Sequence, residues 1–125
     1  MIVGIGIDSI EIARIRSIYE RHKARFADRI LTDAEKAYVF QHADPSARLA
    51  GRWAAKEAAL KALGTGLAHG IRWRDVEILP DGNGKPILTL HALAQKRAAE
   101  ISAKFFHVSI THDQSTAFAQ VILEK

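Results

Sequence analysis

The chain contains no cysteine, which excludes disulfides, thiolate zinc sites, iron–sulfur clusters and a cysteine nucleophile together. The same absence agrees with a reducing compartment, and a cytoplasmic location is expected. Only three of 125 residues are proline, too few for a proline-rich linker or a collagen-like repeat. Long apolar runs are missing as well. No stretch free of Asp, Glu, Lys and Arg exceeds ten residues, as in Gln114–Leu123, whereas a membrane-spanning helix needs about 20 apolar residues. Met1–Ile7 lacks a basic start and leads at once to Asp8 and Glu11, so no signal peptide is expected.

What is present is an ordinary globular composition, 48% hydrophobic and 26% charged. For this mass the unfolded chain exposes about 20,000 Å² and a folded monomer about 6,600 Å², enough burial for one core and hence one domain over residues 1–125. The formal charge is +4, and residues 11–30 hold six Lys or Arg against three Asp or Glu. That local basic surface suits nucleic acid, a phosphorylated ligand or an acidic protein.

Alternation over Ile2–Asp8 predicts a strand with Val3, Ile5 and Ile7 on one face and Gly4, Gly6 and Asp8 on the other. Glycines at alternate strand positions imply close approach of a backbone or a ligand. From Ser9 to Phe26 the period becomes helical: Ile12, Ile15, Tyr19, His22 and Phe26 share one side, while Arg14, Arg21 and Arg25 share another, with Ile18 at its edge. Thr32 and Glu35 have the spacing of a capping box for a helix running to about His42. Asp44-Pro45 opens a longer helix, Pro45–Leu63, stopped by Gly64-Thr65-Gly66. A hairpin around Asp81–Gly84, a helix from Ala92 to Ala103 and strands over Phe105–His112 and Thr116–Leu123 complete an α+β chain with a mainly antiparallel sheet and a long central helix.

Within the long helix, Glu57 and Lys61 lie four apart over Ala50, Ala54 and Gly64. Such a pair is either a surface ion pair worth about 0.3–0.5 kcal/mol or a charged couple with room for a ligand above small side chains. Asp8 at a strand end is either a helix cap or, together with a second carboxylate, a Mg²⁺ ligand. His112 is either a core-edge histidine or a ligand contact, and nothing favours His107 over a solvated side chain.

Two blocks in combination, Gly4-Ile5-Gly6-Ile7-Asp8-Ser9-Ile10-Glu11-Ile12-Ala13-Arg14-Ile15 and Trp53-Ala54-Ala55-Lys56-Glu57-Ala58-Ala59-Leu60-Lys61-Ala62-Leu63-Gly64-Thr65-Gly66, resemble the holo-[acyl-carrier-protein] synthases, small bacterial phosphopantetheinyl transferases. The resemblance continues through Asn83-Gly84-Lys85-Pro86 and His107–His112, departing mildly at Trp53, where phenylalanine is commoner in that family. It implies transfer of the 4′-phosphopantetheine arm of coenzyme A to a serine of apo acyl carrier protein. Adenosine 3′,5′-bisphosphate is released, Mg²⁺ is needed, and the activity serves fatty acid biosynthesis.

Carried over, Asp8 and Glu57 become the metal ligands and Lys61 a catalytic cation at the phosphates. Arg52, Lys61, Gly64, Thr65, Gly66 and His112 become coenzyme A contacts. The Arg14, Ile18, Arg21 and Arg25 stripe becomes the docking surface for the acidic carrier, and the assembly a homotrimer with sites between subunits. The general base stays open between Asp8, Glu57 and a bound water, and neither nucleic acid nor membrane is an expected partner. Two rival readings are a basic nucleic-acid module without metal and an assembly factor without chemistry, for which Glu57 and Lys61 serve no purpose.

Overall fold

In the computed structural model, which describes residues 1–125, Ile2–Glu11 forms β1 and pairs antiparallel with β5, Thr116–Glu124. The central strand β5 also pairs with β4, Phe105–His112, giving a three-stranded sheet in the order β1-β5-β4. The expected hairpin is a separate two-stranded sheet of β2, Val76–Pro80, and β3, Pro86–Leu90. Helices α1 (Ile12–His22), α2 (Ala24–Ile30), α3 (Asp33–Val39), α4 (Ser46–Leu63) and α5 (Ala92–Glu100) complete the α+β architecture. The accessible surface, 6969 Å², is close to the figure expected from mass.

The centre of the molecule is α4 lying across β1, β5 and β4. The two glycines of β1 permit this: a Cβ on Gly4 would run into the carbonyl oxygen of Ala62, and one on Gly6 into that of Ala58. The approaching group is therefore helix backbone and not a ligand. Alanines Ala50, Ala54, Ala55, Ala58, Ala59 and Ala62 are all buried, and small side chains bring the helix axis close to the sheet. Gly64, at φ 77°, ends the helix in the left-handed conformation that a side chain resists.

The capping box forms as expected, with Glu35 N donating to Thr32 Oγ1 at 3.2 Å and Thr32 N to Glu35 Oε1 at 2.9 Å. Elsewhere the segment Ser9–Phe26 departs from one helix. Pairing of Glu11 with Thr116 extends β1 past Ser9, and Lys23, at φ 47° and ψ −125°, separates α1 from α2. Of the expected apolar stripe Ile12 and Ile15 are buried, but His22 lies exposed beside the break.

Beneath the surface, Lys56 and Glu35 form a fully buried ion pair at 2.8 Å. Glu35 Oε2 also accepts Ile78 N at 2.9 Å, so the pair ties α3, α4 and β2 together. A buried pair gains little over apolar side chains of equal size, but removing one partner leaves a costly unpaired charge.

Candidate active site

Asp8 reaches the surface at the point where α4 crosses β1, its side chain mostly covered. It caps no helix: α1 begins at Ile12 without a side-chain cap. Lys61 turns toward β1, donating to Asp8 Oδ1 at 3.1 Å and to the Ile7 carbonyl at 3.0 Å. It does not form the ion pair with Glu57 that their spacing suggests, because the strand brings it a better-placed carboxylate.

Glu57 stands beside this pair with no hydrogen-bonded or ion-paired partner. Burial and the nearby Asp8 charge push its pKa above the ordinary carboxylate value, and Lys61 only partly offsets them. Asp8 thus meets a pair from nearly fifty residues further along the chain, and the three share one small site: two carboxylates, one ammonium and a net negative charge. The Gly64-Thr65-Gly66 turn follows Lys61 directly, with Gly64 and Gly66 both at positive φ.

A single chain does not bring every expected residue to this point. Arg52 is 6% exposed and lies over the Tyr38 ring, its guanidinium carbon 4.6 Å from the centroid. Among buried side-chain polar atoms, only the Nε groups of Arg48 and Arg52 lack a hydrogen-bond partner. His112 is exposed at the end of β4, hydrogen-bonded to the Asp113 carbonyl at 3.3 Å, so it is no core-edge histidine. Neither Arg52 nor His112 contacts Asp8, Glu57 or Lys61. His107 pairs with Glu124 at 2.9 Å on the outer sheet face.

Arg14, Arg21 and Arg25 are exposed on α1 and α2 and enter no ion pair, whereas Arg16 is held by Asp44 and Ser46. Ile18, His22 and Arg25 line an open groove of about 460 Å³ together with residues that sequence periodicity does not single out, Arg29 and Trp73 among them. Its wall is an aromatic stack, Phe26 on Trp53 at 5.9 Å and Trp53 on Trp73 at 4.6 Å. Trp73 lies in a single 3₁₀ turn (Trp73–Asp75), too short to show a period.

Comparison with known proteins bears on the family and the fold. A holo-[acyl-carrier-protein] synthase of Solidesulfovibrio magneticus is 50% identical over 124 residues, covering 99% of both chains. The crystal structure of a holo-[acyl-carrier-protein] synthase from Neisseria meningitidis superimposes with a TM-score of 0.91 at 35% identity over the whole of both chains. The Helicobacter pylori enzyme, solved in complex with coenzyme A, matches with a TM-score of 0.84 at 32% identity, covering 96% of this chain and 99% of that one. The family model of the 4′-phosphopantetheinyl transferase superfamily matches residues 4–119, and the chain belongs to that superfamily.

Proposed function

We propose that this protein transfers the 4′-phosphopantetheine arm of coenzyme A to a serine of apo acyl carrier protein, with residues 1–125 acting as one domain. The observation that carries the reading is the convergence of Asp8, Glu57 and Lys61 from opposite ends of a strand–helix crossing.

The donor set fits Mg²⁺. Asp8 Oδ2 and both Glu57 oxygens have no protein partner, and one ammonium, Lys61, faces the two carboxylates. No third Asp, Glu or His joins them, which suits an ion that takes one or two carboxylates and completes its shell with water and substrate phosphate. When bound there, Mg²⁺ withdraws charge from the pyrophosphate oxygens. Asp8 and Glu57 would hold it, and Lys61 fixes the Asp8 carboxylate while its ammonium faces charge developing on the departing bisphosphate. The Gly64-Thr65-Gly66 turn closes its own N–H groups onto the Leu60 and Lys61 carbonyls, so it would meet coenzyme A through the small size of its glycines and not through free amides. The exposed His112 ring offers a further anion contact for coenzyme A, whereas the unpartnered Nε of Arg52 is buried and would reach coenzyme A only if its side chain turned off the Tyr38 ring.

The arginine stripe and the groove beside it suit an acidic amphipathic helix: Arg14, Arg21 and Arg25 steer and orient, while Ile18 and the aromatic wall receive apolar side chains. In a homotrimer the exposed His112 would reach the reaction centre of a neighbouring copy, whereas Arg52 stays buried in its own chain. The trimer's contact surface is the outer sheet face, where Ile5 is 60% and Ile7 63% exposed.

The decisive assay follows the mass of an apo carrier incubated with this protein, coenzyme A and Mg²⁺. A gain of one phosphopantetheine arm is expected, abolished by chelator and reduced at least about 100-fold in Glu57→Ala. No gain with any of several carriers overturns the proposal. Arg14→Glu should raise KM for the carrier, more strongly at low salt, with KM for coenzyme A unchanged. If the coenzyme A constant moves instead, Arg14 does not serve docking.

A further inference from the structure

We infer that Lys56, which touches no ligand, is the positioning residue of the docking groove: its buried ammonium holds the Trp73 wall in place against Trp53. The inference rests on the reading of that groove as the carrier's seat.

Lys56 has no exposed surface. Its ammonium carries three donors, and they meet three acceptors: Glu35 Oε1 at 2.8 Å, the Trp73 carbonyl at 3.1 Å and the Val76 carbonyl. With every donor engaged and no path to solvent, it can neither attack a substrate nor bind a phosphate. Burial pushes its pKa down against the pull of Glu35, so the charge is held here at a cost that an apolar side chain of equal length avoids.

What an apolar side chain cannot do is grip two carbonyls. Trp73 and Val76 bracket the 3₁₀ turn, and the Trp73 ring, itself buried, backs Trp53 in the stack that walls the groove. The other wall residue, Trp53, stands one turn before Lys56 on α4. One stretch of helix therefore holds one indole through its own backbone and the other through the Lys56 side chain. The outcome is two rings 4.6 Å apart and 26° from parallel. Phe26 extends the same stack toward Arg25 and Arg29.

The Glu35→Gln/Lys56→Met double variant tests this, since it removes both charges and leaves no unpaired ion to unfold the core. Two stacked indoles give a coupled exciton band pair in ultraviolet circular dichroism, and Trp53→Phe supplies the spectrum without it. The double variant is expected to melt cooperatively, lose most of that band pair and raise KM for the apo carrier about tenfold, with kcat and KM for coenzyme A within about twofold. Glu35→Gln alone leaves Lys56 on both carbonyls, so it should lower thermal stability but keep the band pair and the carrier KM. A band pair intact in the double variant, or equally lost in Glu35→Gln, overturns the positioning role. A lost band pair with unchanged carrier KM upholds the geometry but overturns the groove as the docking site.

Discussion

At Glu57 stability and function pull in opposite directions. Its carboxylate is partly desolvated and faces Asp8, and both effects raise its pKa above the ordinary value of 4.5. A carboxyl group with a raised pKa binds its proton more tightly in the folded than in the unfolded chain. Stability therefore falls as pH rises from the ordinary value through the folded one, and the penalty is complete at neutral pH. Glu57→Gln should abolish transfer yet raise Tm at about pH 7, with the difference from wild type vanishing near pH 3, more than a unit below the ordinary and the raised pKa alike, where both side chains are neutral in both states. Thermal melts at the two pH values in the absence of divalent ions check this; a lower Tm at neutral pH would show that Glu57 contributes to the fold. Glu77 shows the opposite balance. Burial alone would raise its pKa, but hydrogen bonds from Thr32 at 2.6 Å and with His91 at 3.2 Å, together with the Lys56 charge, hold it below the ordinary value.

Among the elements, the joint between α1 and α2 carries the clearest strain. Lys23 adopts φ 47° and ψ −125°, a combination costing a side-chain-bearing residue of order 1–3 kcal/mol. Glycine relieves it, offset in part by the larger entropy of the unfolded chain, so Lys23→Gly should stabilise by about 1 kcal/mol in urea denaturation. Destabilisation would show that the lysine stem packs usefully where it lies, over the Tyr19 ring at 5.6 Å. The same joint shows where sequence reading reaches its limit. The Thr32/Glu35 box and the Gly64 stop were legible because their causes lie within four residues. The extension of β1 to Glu11 depends on Thr116, over a hundred positions away, and a lysine gives no warning of positive φ. At the site, the expected carboxylates and ammonium do meet. The Lys61 partner was misread because helix spacing points to Glu57 while only the folded strand presents Asp8. Trp73 and Leu67 reach the groove from a turn and a loop that have no period to read.

For the whole molecule the uncovered side of the sheet is its outer face. Helix α4 covers one face; the other mixes apolar and polar side chains in the rows Ile5–Ile122–His107, Ile7–Gln120–Ser109 and Ser9–Phe118–Thr111, with Phe105 58% and Phe118 41% exposed. Large exposed apolar side chains interleaved with polar ones suit a contact with another chain. The homotrimer proposed above would cover them and bring His112 of one copy to Asp8, Glu57 and Lys61 of the next. Ile5→Asp places a charge on that face, where a separate chain leaves it in water. The variant should keep its fold, sediment as a monomer and lose carrier modification at least about tenfold, with part of the activity returning at high protein concentration by mass action. For the wild type, activity per chain should fall on dilution through the same equilibrium. A fully active Ile5→Asp monomer would mean that one chain contains the entire site, and His112 would then have to reach substrate within its own protomer.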